Sequence, residues 1–205
     1  TVLYDCMDDH GGFQTNARPV ASAERGILEG ADTVVASSRV LESRLGAASR
    51  PVVLLPNGCD FEYFSSIAPR SRKGRPTVGY YGCIADWFEA DLVADVAERR
   101  PDWDFVLIGP TYLADLTRLP ALPNVSFPGM VPYGQLLDRI EPIDVFLLPF
   151  RRSPLTEAAN PVKAYEIMAT GRPLVAVPLP ELEPFGDLVR LGSGPIEFER
   201  QISEA

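Results

Sequence analysis

A lysine and a glutamate three positions apart, Lys163 and Glu166, lie within the stretch of residues 160–175. The stretch reads as a loop, a short helix, a glycine turn and an apolar strand. Residues three apart share one face of a helix, so this face offers a cation for phosphate and a carboxylate for hydroxyl groups. A nucleotide sugar needs both groups. The alternative interpretation, on spacing alone, is an ordinary ion pair in solvent.

The start of this helix adds a second reason to expect an anion. Pro161 suits the first helical turn, because its missing N–H would be unpaired there anyway. Asn160 is then the predicted N-cap, and the next backbone N–H groups favour a phosphate. Lys163 would add a charge-assisted contact. Glu166, about one turn further, can accept hydrogen bonds from both hydroxyls of a ribose.

Other candidate donor-binding residues follow predicted strands. Arg151 and Arg152 come just after an apolar strand and can supply further positive charge. Gly82 would let a phosphate approach the backbone closely, although a simple turn glycine is equally expected. Trp87 is predicted to line a sugar pocket, with core packing as the alternative. Tyr133, or the nearby backbone, is predicted to contact a base.

His10 is the one histidine in the sequence, in the run Asp8-Asp9-His10. It is the candidate catalytic residue, as a general base or a contact to an acceptor, and the alternative is an exposed loop histidine beside two carboxylates. With one histidine, no Ser-His-Asp set can be identified. The HExxH, P-loop and G-x-G-x-x-G patterns are missing from the sequence, which disfavours dehydrogenases and P-loop nucleotide hydrolases.

Short apolar strands alternate with helical segments along the chain. In the second half, strands are predicted at 77–81, 104–108, 124–127, 144–148 and 174–177. Helices are predicted at 89–99, 133–140, 161–170, 181–191 and 197–204. Strands that alternate with helices predict an α/β fold with parallel, doubly wound sheets. Ligands in such folds bind beyond the carboxyl ends of the strands, where the candidate residues are expected to meet.

The sequence predicts two Rossmann-like domains. Residues 66–76 are rich in proline, glycine and basic residues, and they are the predicted linker, with contact to phosphate or anionic lipid as a second interpretation. Residues 1–65 then form part of a first domain and residues 77–205 form the second. The chain starts with Thr1 inside an apparent strand, so the first domain is expected to be incomplete.

Composition excludes several classes. The net charge of −9 argues against nucleic-acid binding, which needs a basic surface. The three cysteines are widely spaced and fit neither a zinc site nor a disulfide framework, so a reduced cytoplasmic setting is expected. Apolar runs are too short for a membrane span. Peripheral association with the inner face of a membrane stays open.

Several motifs, in this order, resemble the GT-B glycosyltransferases of group 1 (family 4-like) that act in bacterial polysaccharide assembly. Residues 4–9 (YDCMDD) resemble an acidic strand end of that family, and residues 55–60 (LPNGCD) resemble the close of its first domain. Residues 79–82 (GYYG) resemble the opening of the second domain in a subgroup. Residues 161–173 resemble the family pattern with proline, lysine, glutamate and a glycine turn.

The resemblance implies two Rossmann-like domains, with the donor on the second and the acceptor on the first. It implies that Glu166 binds the ribose and that Lys163 and the helix start bind the diphosphate. The donor is expected to be a nucleoside diphosphate sugar, most simply a UDP-sugar, and the acceptor a saccharide or a lipid-linked saccharide. No metal or other cofactor is expected. Many members of the family carry a second glutamate eight positions before the ribose ligand, where this chain has Ala158.

Two alternatives stay open from the sequence. One is a nucleotide-sugar epimerase of the same fold, which would need further acid and base groups. The other is a non-catalytic subunit that binds a nucleotide sugar without transferring it. The sugar, the base, the linkage, its stereochemistry, the oligomeric state and the activity of the 205 residues alone are not fixed by the sequence.

Overall fold

A computed structural model describes residues 1–16, 20–46, 51–68 and 74–205. Within these residues the chain divides into two compact units. The first unit comprises Thr1–Gly58, Arg152–Val162 and Leu179–Pro184, and the second unit comprises Cys59–Arg151, Lys163–Pro178 and Phe185–Ala205. The first unit is therefore assembled from three separate stretches of the chain.

Short strands and helices alternate along the described residues. The strands are β1 (Leu3–Cys6), β2 (Thr33–Ala36), β3 (Val52–Leu54), β4 (Thr77–Tyr81), β5 (Asp104–Ile108), β6 (Val125–Gly129), β7 (Val145–Leu148), β8 (Leu174–Ala176) and β9 (Val189–Leu191). The α-helices are α1 (Val20–Gly30), α2 (Arg39–Gly46), α3 (Phe61–Ser65), α4 (Ala90–Arg99), α5 (Leu136–Ile140), α6 (Pro154–Glu157), α7 (Val162–Ala169) and α8 (Gly194–Ser203).

The first unit is built on a parallel sheet in the order β1-β2-β3. Val34 and Ala36 point from the central strand into a buried apolar cluster. Leu41 and Leu45 of α2 join this cluster, because residues four apart lie on one face of a helix. Ala158, which comes from the downstream stretch, belongs to the same cluster.

Helix α2 begins with a cap that also fastens the downstream stretches. The Ser38 hydroxyl accepts from the Leu41 N–H at 3.1 Å and donates to the Ala158 carbonyl at 2.6 Å. The Arg39 N–H donates to the buried Glu181 carboxylate at 2.7 Å. A carboxylate at a helix start is favourable because the free N–H groups and the helix dipole attract it. These contacts attach the two downstream stretches, residues 152–162 and 179–184, to helix α2.

The second unit is a parallel sheet of six strands in the order β6-β5-β4-β7-β8-β9. Chain order runs outward in one direction from β4 and in the other direction from β7, which is the doubly wound arrangement. The strand order reverses between β4 and β7, and ligands in such sheets bind beyond the carboxyl ends of the strands at that point. Residues 82–89 and 149–151 follow these two strands directly.

The two central strands of the second unit are buried on both faces, as their apolar sequences require. Helix α4 covers one face with Leu92, Val93, Val96 and Ala97, which recur at helical spacing. Among the described residues, none of the helices has the length and the apolar character that a bilayer crossing requires.

The predicted α/β fold with parallel sheets is confirmed. Strands β4 and β5 have the predicted bounds, and α7 lies within the predicted helix 161–170. The predicted linker, residues 66–76, includes residues 69–73, which lie outside the described residues. The predicted domain boundaries therefore stay a prediction.

The prediction of one helix over residues 181–191 is wrong. The structure has a 3₁₀ segment at Glu183–Leu188, broken at Gly186, and then strand β9. Gly186 has φ 51° and ψ −121°, which is not helical. The last three residues pair with β8 at the edge of the sheet instead of continuing a helix. The short helices α3 and α6 were also missed, although Asp60 and Ser153 cap them.

Gly79→Ala is expected to lower the free energy of unfolding by about 1–3 kcal/mol, the usual range for overpacking a core. Gly79 lies in β4, and a Cβ there would overlap Cδ1 of the fully buried Ile143 and lie 2.6 Å from its Cγ1. Urea unfolding measures the change. Gly134→Ala is the matched control, because a Cβ there meets no atom within 4 Å. Equal stability of the two variants would contradict the prediction.

Candidate functional site

The carboxyl edge of the second sheet is closed by hydrogen bonds between its loops. Residue 84 extends the pairing beyond β4, because Ile84 bridges to Thr111 after β5. Phe88 bridges to Phe150 after β7. The Gly82 N–H donates to the Ile108 carbonyl at 2.8 Å. The loops at this edge are therefore held by backbone contacts, and side chains placed on them have defined positions.

Helix α7 presents Lys163 and Glu166 in the second unit, both half-buried. Glu166 Oε2 accepts a hydrogen bond from the Tyr81 hydroxyl at 3.0 Å. In the described part of the chain, the Lys163 ammonium has no hydrogen bond and no carboxylate within 4.0 Å. A half-buried ammonium without such a partner is suited to binding an anion, because burying it unpaired is unfavourable.

Burial dominates the electrostatics of both groups. It lowers the pKa of Lys163, and the negative charges of Glu166 and Cys83 act in the opposite direction. It raises the pKa of Glu166, and the Tyr81 hydrogen bond and the Lys163 charge act in the opposite direction. Each charged form is therefore less favourable here than in water. Shifts of this kind, in groups that lie at the ligand edge of an α/β sheet, mark a candidate binding site.

Gly82 packs directly against the Lys163 side chain, and its contact with a phosphate stays a prediction. A Cβ on Gly82 would overlap Cε of Lys163, so the lysine stem occupies the space that any other residue would fill. Its φ of 130° also lies in the region that favours glycine. A Cβ on Gly109 would in turn overlap the Gly82 carbonyl oxygen. The structure thus assigns both glycines to the packing of the lysine and of the two loops.

Tyr133 is 55% exposed and stacks on Tyr63, with ring centroids 4.8 Å apart and an interplanar angle of 19°. The Tyr63 hydroxyl donates to the Tyr133 carbonyl at 2.5 Å. Phe64 is fully buried and meets both rings edge-on. Burial raises the pKa of Tyr133, as do the charges of Asp60 and Glu166, so Tyr133 lies near the Glu166 carboxylate. The contact with a base stays a prediction.

Trp87 and Arg151 are joined through the backbone. The Arg151 N–H donates to the Trp87 carbonyl at 2.6 Å, and Trp87 itself is half-buried. The guanidinium of Arg151 pairs with Glu89 at 3.2 Å. The roles of Trp87 and Arg151 in donor binding stay predictions.

Asn160 and Arg152 belong to the first unit. Asn160 is buried; its Nδ2 donates to Glu181 at 3.2 Å and its carbonyl accepts from Asn57 at 2.7 Å. Within the described residues its Oδ1 has no hydrogen-bond partner. Helix α7 begins two residues later, so no capping contact from Asn160 is formed. Arg152 is exposed and pairs with Glu157 at 2.8 Å.

His10 begins a 3₁₀ turn, His10–Gly12, in the first unit. His10 is half-buried. Burial raises the pKa of the nearby Asp8, and the interaction with His10 acts in the opposite direction. The Asn16 amide donates to the His10 carbonyl at 2.5 Å. The neighbouring Asp9 pairs with Arg44 at 2.7 Å. Its role as a base or an acceptor contact stays a prediction.

Sequence reasoning missed several side chains near the Lys163–Glu166 pair. Tyr81 was assigned to a strand and to the motif of residues 79–82 but not to the site, although the end of a central strand is a position from which a side chain can reach the ligand edge. Burial raises the pKa of Cys59, and the charge of Glu166 raises it further. Burial also raises the pKa of Cys83, and the charge of Lys163 acts in the opposite direction. Nothing in the sequence spacing indicated these neighbours. Over the described ranges, no cluster of His, Cys, Asp or Glu could hold a metal ion.

Comparison with known proteins identifies the family. The family described as Glycosyl transferases group 1 matches residues 76–202, which is more than half of the chain. The chain belongs to this family. The match includes β4, β7 and α7, and thus Lys163 and Glu166.

Longer proteins of related sequence and fold resemble this chain. "Putative teichuronic acid biosynthesis glycosyltransferase TuaH" from Bacillus subtilis is 28% identical over 96% of the chain and 56% of its own length. HepE from Anabaena, solved in complex with UDP-glucose, has a TM-score of 0.71 at 15% identity, over 98% of this chain and 61% of that one. Sucrose-phosphate synthase from Thermosynechococcus elongatus has a TM-score of 0.74 at 18% identity, over 98% of this chain and 57% of that one.

The solved structures share the fold of this chain, and the predicted resemblance to GT-B glycosyltransferases is confirmed. The chain spans 56% of TuaH and 61% of HepE.

Glu166→Gln is expected to stabilise the unliganded protein at neutral pH. Since burial raises the folded-state pKa of Glu166, the folded protein keeps a proton that the unfolded chain loses as the pH rises. The stabilising contribution of protonated Glu166 is fully present below its ordinary pKa of 4.5, and it is lost as the pH rises through the folded-state pKa. Urea unfolding from about pH 4 to about pH 8 should show equal stability at the acid end and a more stable variant at the other. A less stable variant near pH 8 would refute the burial argument.

Gly82→Ala is expected to lower the free energy of unfolding by about 1–3 kcal/mol, because its φ of 130° disfavours any residue other than glycine and the new Cβ also displaces the Lys163 stem. The overlap should be smaller when the stem is absent. Urea unfolding of Gly82→Ala, Lys163→Ala and the double variant therefore forms a cycle with a favourable coupling energy. Strictly additive effects would show that Lys163 does not occupy this space.

Proposed function

We propose that the protein containing this chain transfers a hexosyl group from a nucleoside diphosphate sugar, specifically a UDP-sugar, to a saccharide or lipid-linked acceptor. The observation that carries the proposal is the half-buried pair on α7. The Lys163 ammonium makes no hydrogen bond and no ion pair within 4.0 Å in the described residues, and Glu166 is held by Tyr81 at the edge where the strand order reverses. Membership of the glycosyl transferases group 1 gives this pair its chemical context.

The diphosphate is proposed to bind Lys163 and the first N–H groups of α7. An anion at a helix start gains on the order of 1 kcal/mol from the dipole, and an ammonium adds a charge-assisted contact. As the bond to the sugar breaks, negative charge grows on the diphosphate, so a cation fixed beside it favours the transition state. In this proposal Lys163 and the helix start neutralise that charge without a metal ion.

The ribose is proposed to bind Glu166. An ionised carboxylate has two oxygens and only accepts hydrogen bonds, so it suits a pair of hydroxyl donors. Oε2 already accepts from Tyr81, and Oε1 has no hydrogen-bond donor among the described residues. Tyr133, with its exposed ring near Glu166, is the proposed contact to the base. The structure of HepE with UDP-glucose supports uridine as the base.

The proposed acceptor is a growing polysaccharide or its lipid-linked precursor. The name of TuaH refers to teichuronic acid biosynthesis, which supports an acceptor of this class. His10 in the first unit is the proposed acceptor contact or base, since histidine is the side chain that most often serves as a general base. Peripheral contact with a membrane belongs to the same proposal.

Glu166→Ala and Lys163→Ala are each expected to weaken UDP binding roughly 10- to 150-fold, as the loss of a hydrogen bond to a charged group does. Calorimetric titration of the chain with UDP, GDP and ADP measures this. Glu98→Ala is the matched control: Glu98 lies on α4, is half-exposed and pairs with Arg118, which has two other acidic partners. UDP affinity should be unchanged in the control.

Unchanged UDP affinity in Glu166→Ala would show that Glu166 does not bind the ribose. Tighter binding of GDP or ADP than of UDP would show that the donor carries a base other than uracil. A transfer assay on the protein containing this chain, with a UDP-sugar and an oligosaccharide acceptor, then tests the reaction. Binding of UDP-sugar without release of UDP would indicate a non-catalytic subunit.

A further inference from the structure

We infer that Tyr81 is a positioning residue that holds the Glu166 carboxylate for a ribose and thereby makes the site selective for ribonucleotides over nucleotides that lack the ribose hydroxyls. This inference rests on the proposed function, because it assigns a ribose to Glu166. It concerns a residue that does not itself touch the nucleotide. Its test must therefore separate the orientation of Glu166 from the general integrity of the fold.

The Tyr81 hydroxyl has a rigid support. Tyr81 is the last residue of β4, which pairs with β5 on one side and β7 on the other. Its side chain is 4% exposed, and its ring meets Phe146 of β7 edge-on at 5.8 Å. From this position the hydroxyl donates to Glu166 Oε2 at 3.0 Å. One oxygen of the carboxylate is thus tied to the centre of the sheet.

The hydrogen bond also favours the form of Glu166 that binds a diol. A donor to a carboxylate favours its ionised state, and only that state offers both oxygens as acceptors. The charged and titratable groups near Glu166 are Lys163 on its own helix, Tyr81 at the end of β4, Cys59 before α3 and Tyr133 after β6. Among them, Tyr81 makes the one hydrogen bond to the Glu166 carboxylate that the described residues contain.

The consequence is selectivity through one atom. With Oε2 tied to Tyr81, rotation of the carboxylate about its last bond is restricted, and Oε1 keeps a fixed position for a ribose hydroxyl. A nucleotide without ribose hydroxyls gains nothing from this arrangement. Loss of the Tyr81 hydroxyl should therefore weaken binding of a ribonucleotide and leave the dideoxy analogue almost unaffected.

Tyr81→Phe, which keeps the ring, tests the inference by two measurements. Calorimetry should show UDP affinity lowered about three- to tenfold, the usual effect of one hydrogen bond, and 2′,3′-dideoxy-UDP affinity changed less than about twofold. The acidic limb of UDP binding should move to higher pH, because Glu166 then protonates more readily. Separately, ¹³C NMR of the Glu166 carboxyl, assigned with Glu166→Gln, should show a higher pKa in the unliganded variant.

Tyr80→Phe is the matched control. Tyr80 is also buried on β4, and its hydroxyl donates to the Cys83 carbonyl at 2.8 Å rather than to Glu166. This variant should leave the pKa of Glu166 and the ratio of UDP to dideoxy-UDP affinity unchanged.

Three results would overturn the inference. Equal loss of affinity for both nucleotides in Tyr81→Phe would mean that Tyr81 acts only on the fold. An unchanged pKa of Glu166 would mean that the hydrogen bond does not form in solution. If the wild type binds no nucleotide, the selectivity falls together with the proposed function, and the NMR titration alone decides whether Tyr81 holds Glu166.

Discussion

The candidate site depends on the space left where residue 82 has no side chain. The stem of Lys163 fills that space, and the backbone of Gly82 in turn lies where a side chain of residue 109 would be. The lysine and the two glycines therefore form one interlocked packing arrangement. A side chain added at residue 82 must displace the lysine, and one added at residue 109 must displace the backbone of residue 82, because packed interiors leave few voids. The position of the ammonium is thus set by backbone geometry at the ends of β4 and β5.

The second unit keeps two half-buried charges that do not stabilise it. Burial disfavours the charged form of both Lys163 and Glu166, and their mutual attraction only partly offsets this. Natural proteins accept such costs where binding or catalysis needs a prearranged group. The same sheet compensates elsewhere, since β4 and β7 are buried on both faces. Stability is concentrated in the strands and the chemical groups are concentrated at their ends.

The sequence predicted the layers of the second unit well, because alternating apolar strands and amphipathic helices have clear periods. It also predicted Lys163 and Glu166 on one helix, since spacing of three fixes a shared face. It could not predict Tyr81 as the partner of Glu166. That contact joins residues 85 positions apart, and only the strand order brings them together. For the same reason it missed the stacking of Tyr63 on Tyr133, which is 70 positions away.

The error at residues 181–191 has a related cause. Apolar spacing there was compatible with a helix, whereas the structure breaks the segment at Gly186 and gives its end to the sheet edge. Arg151 shows the limit of reading charge from sequence. Its position after a buried strand was predicted, but its ion pair with Glu89 depends on a loop that only the fold brings near.

The three-stretch construction of the first unit has a consequence for the order of synthesis. Strands β1, β2 and β3 are made early, yet Ala158 and Glu181 emerge from the ribosome only after most of the second sheet has been synthesised. A nascent chain that ends before Glu181 leaves the Arg39 N–H without its carboxylate acceptor. The Ser38 hydroxyl likewise has its acceptor, the Ala158 carbonyl, only after residue 158 has been made. The packing of the sheet in the first unit is therefore completed by residues that follow β7 in the chain.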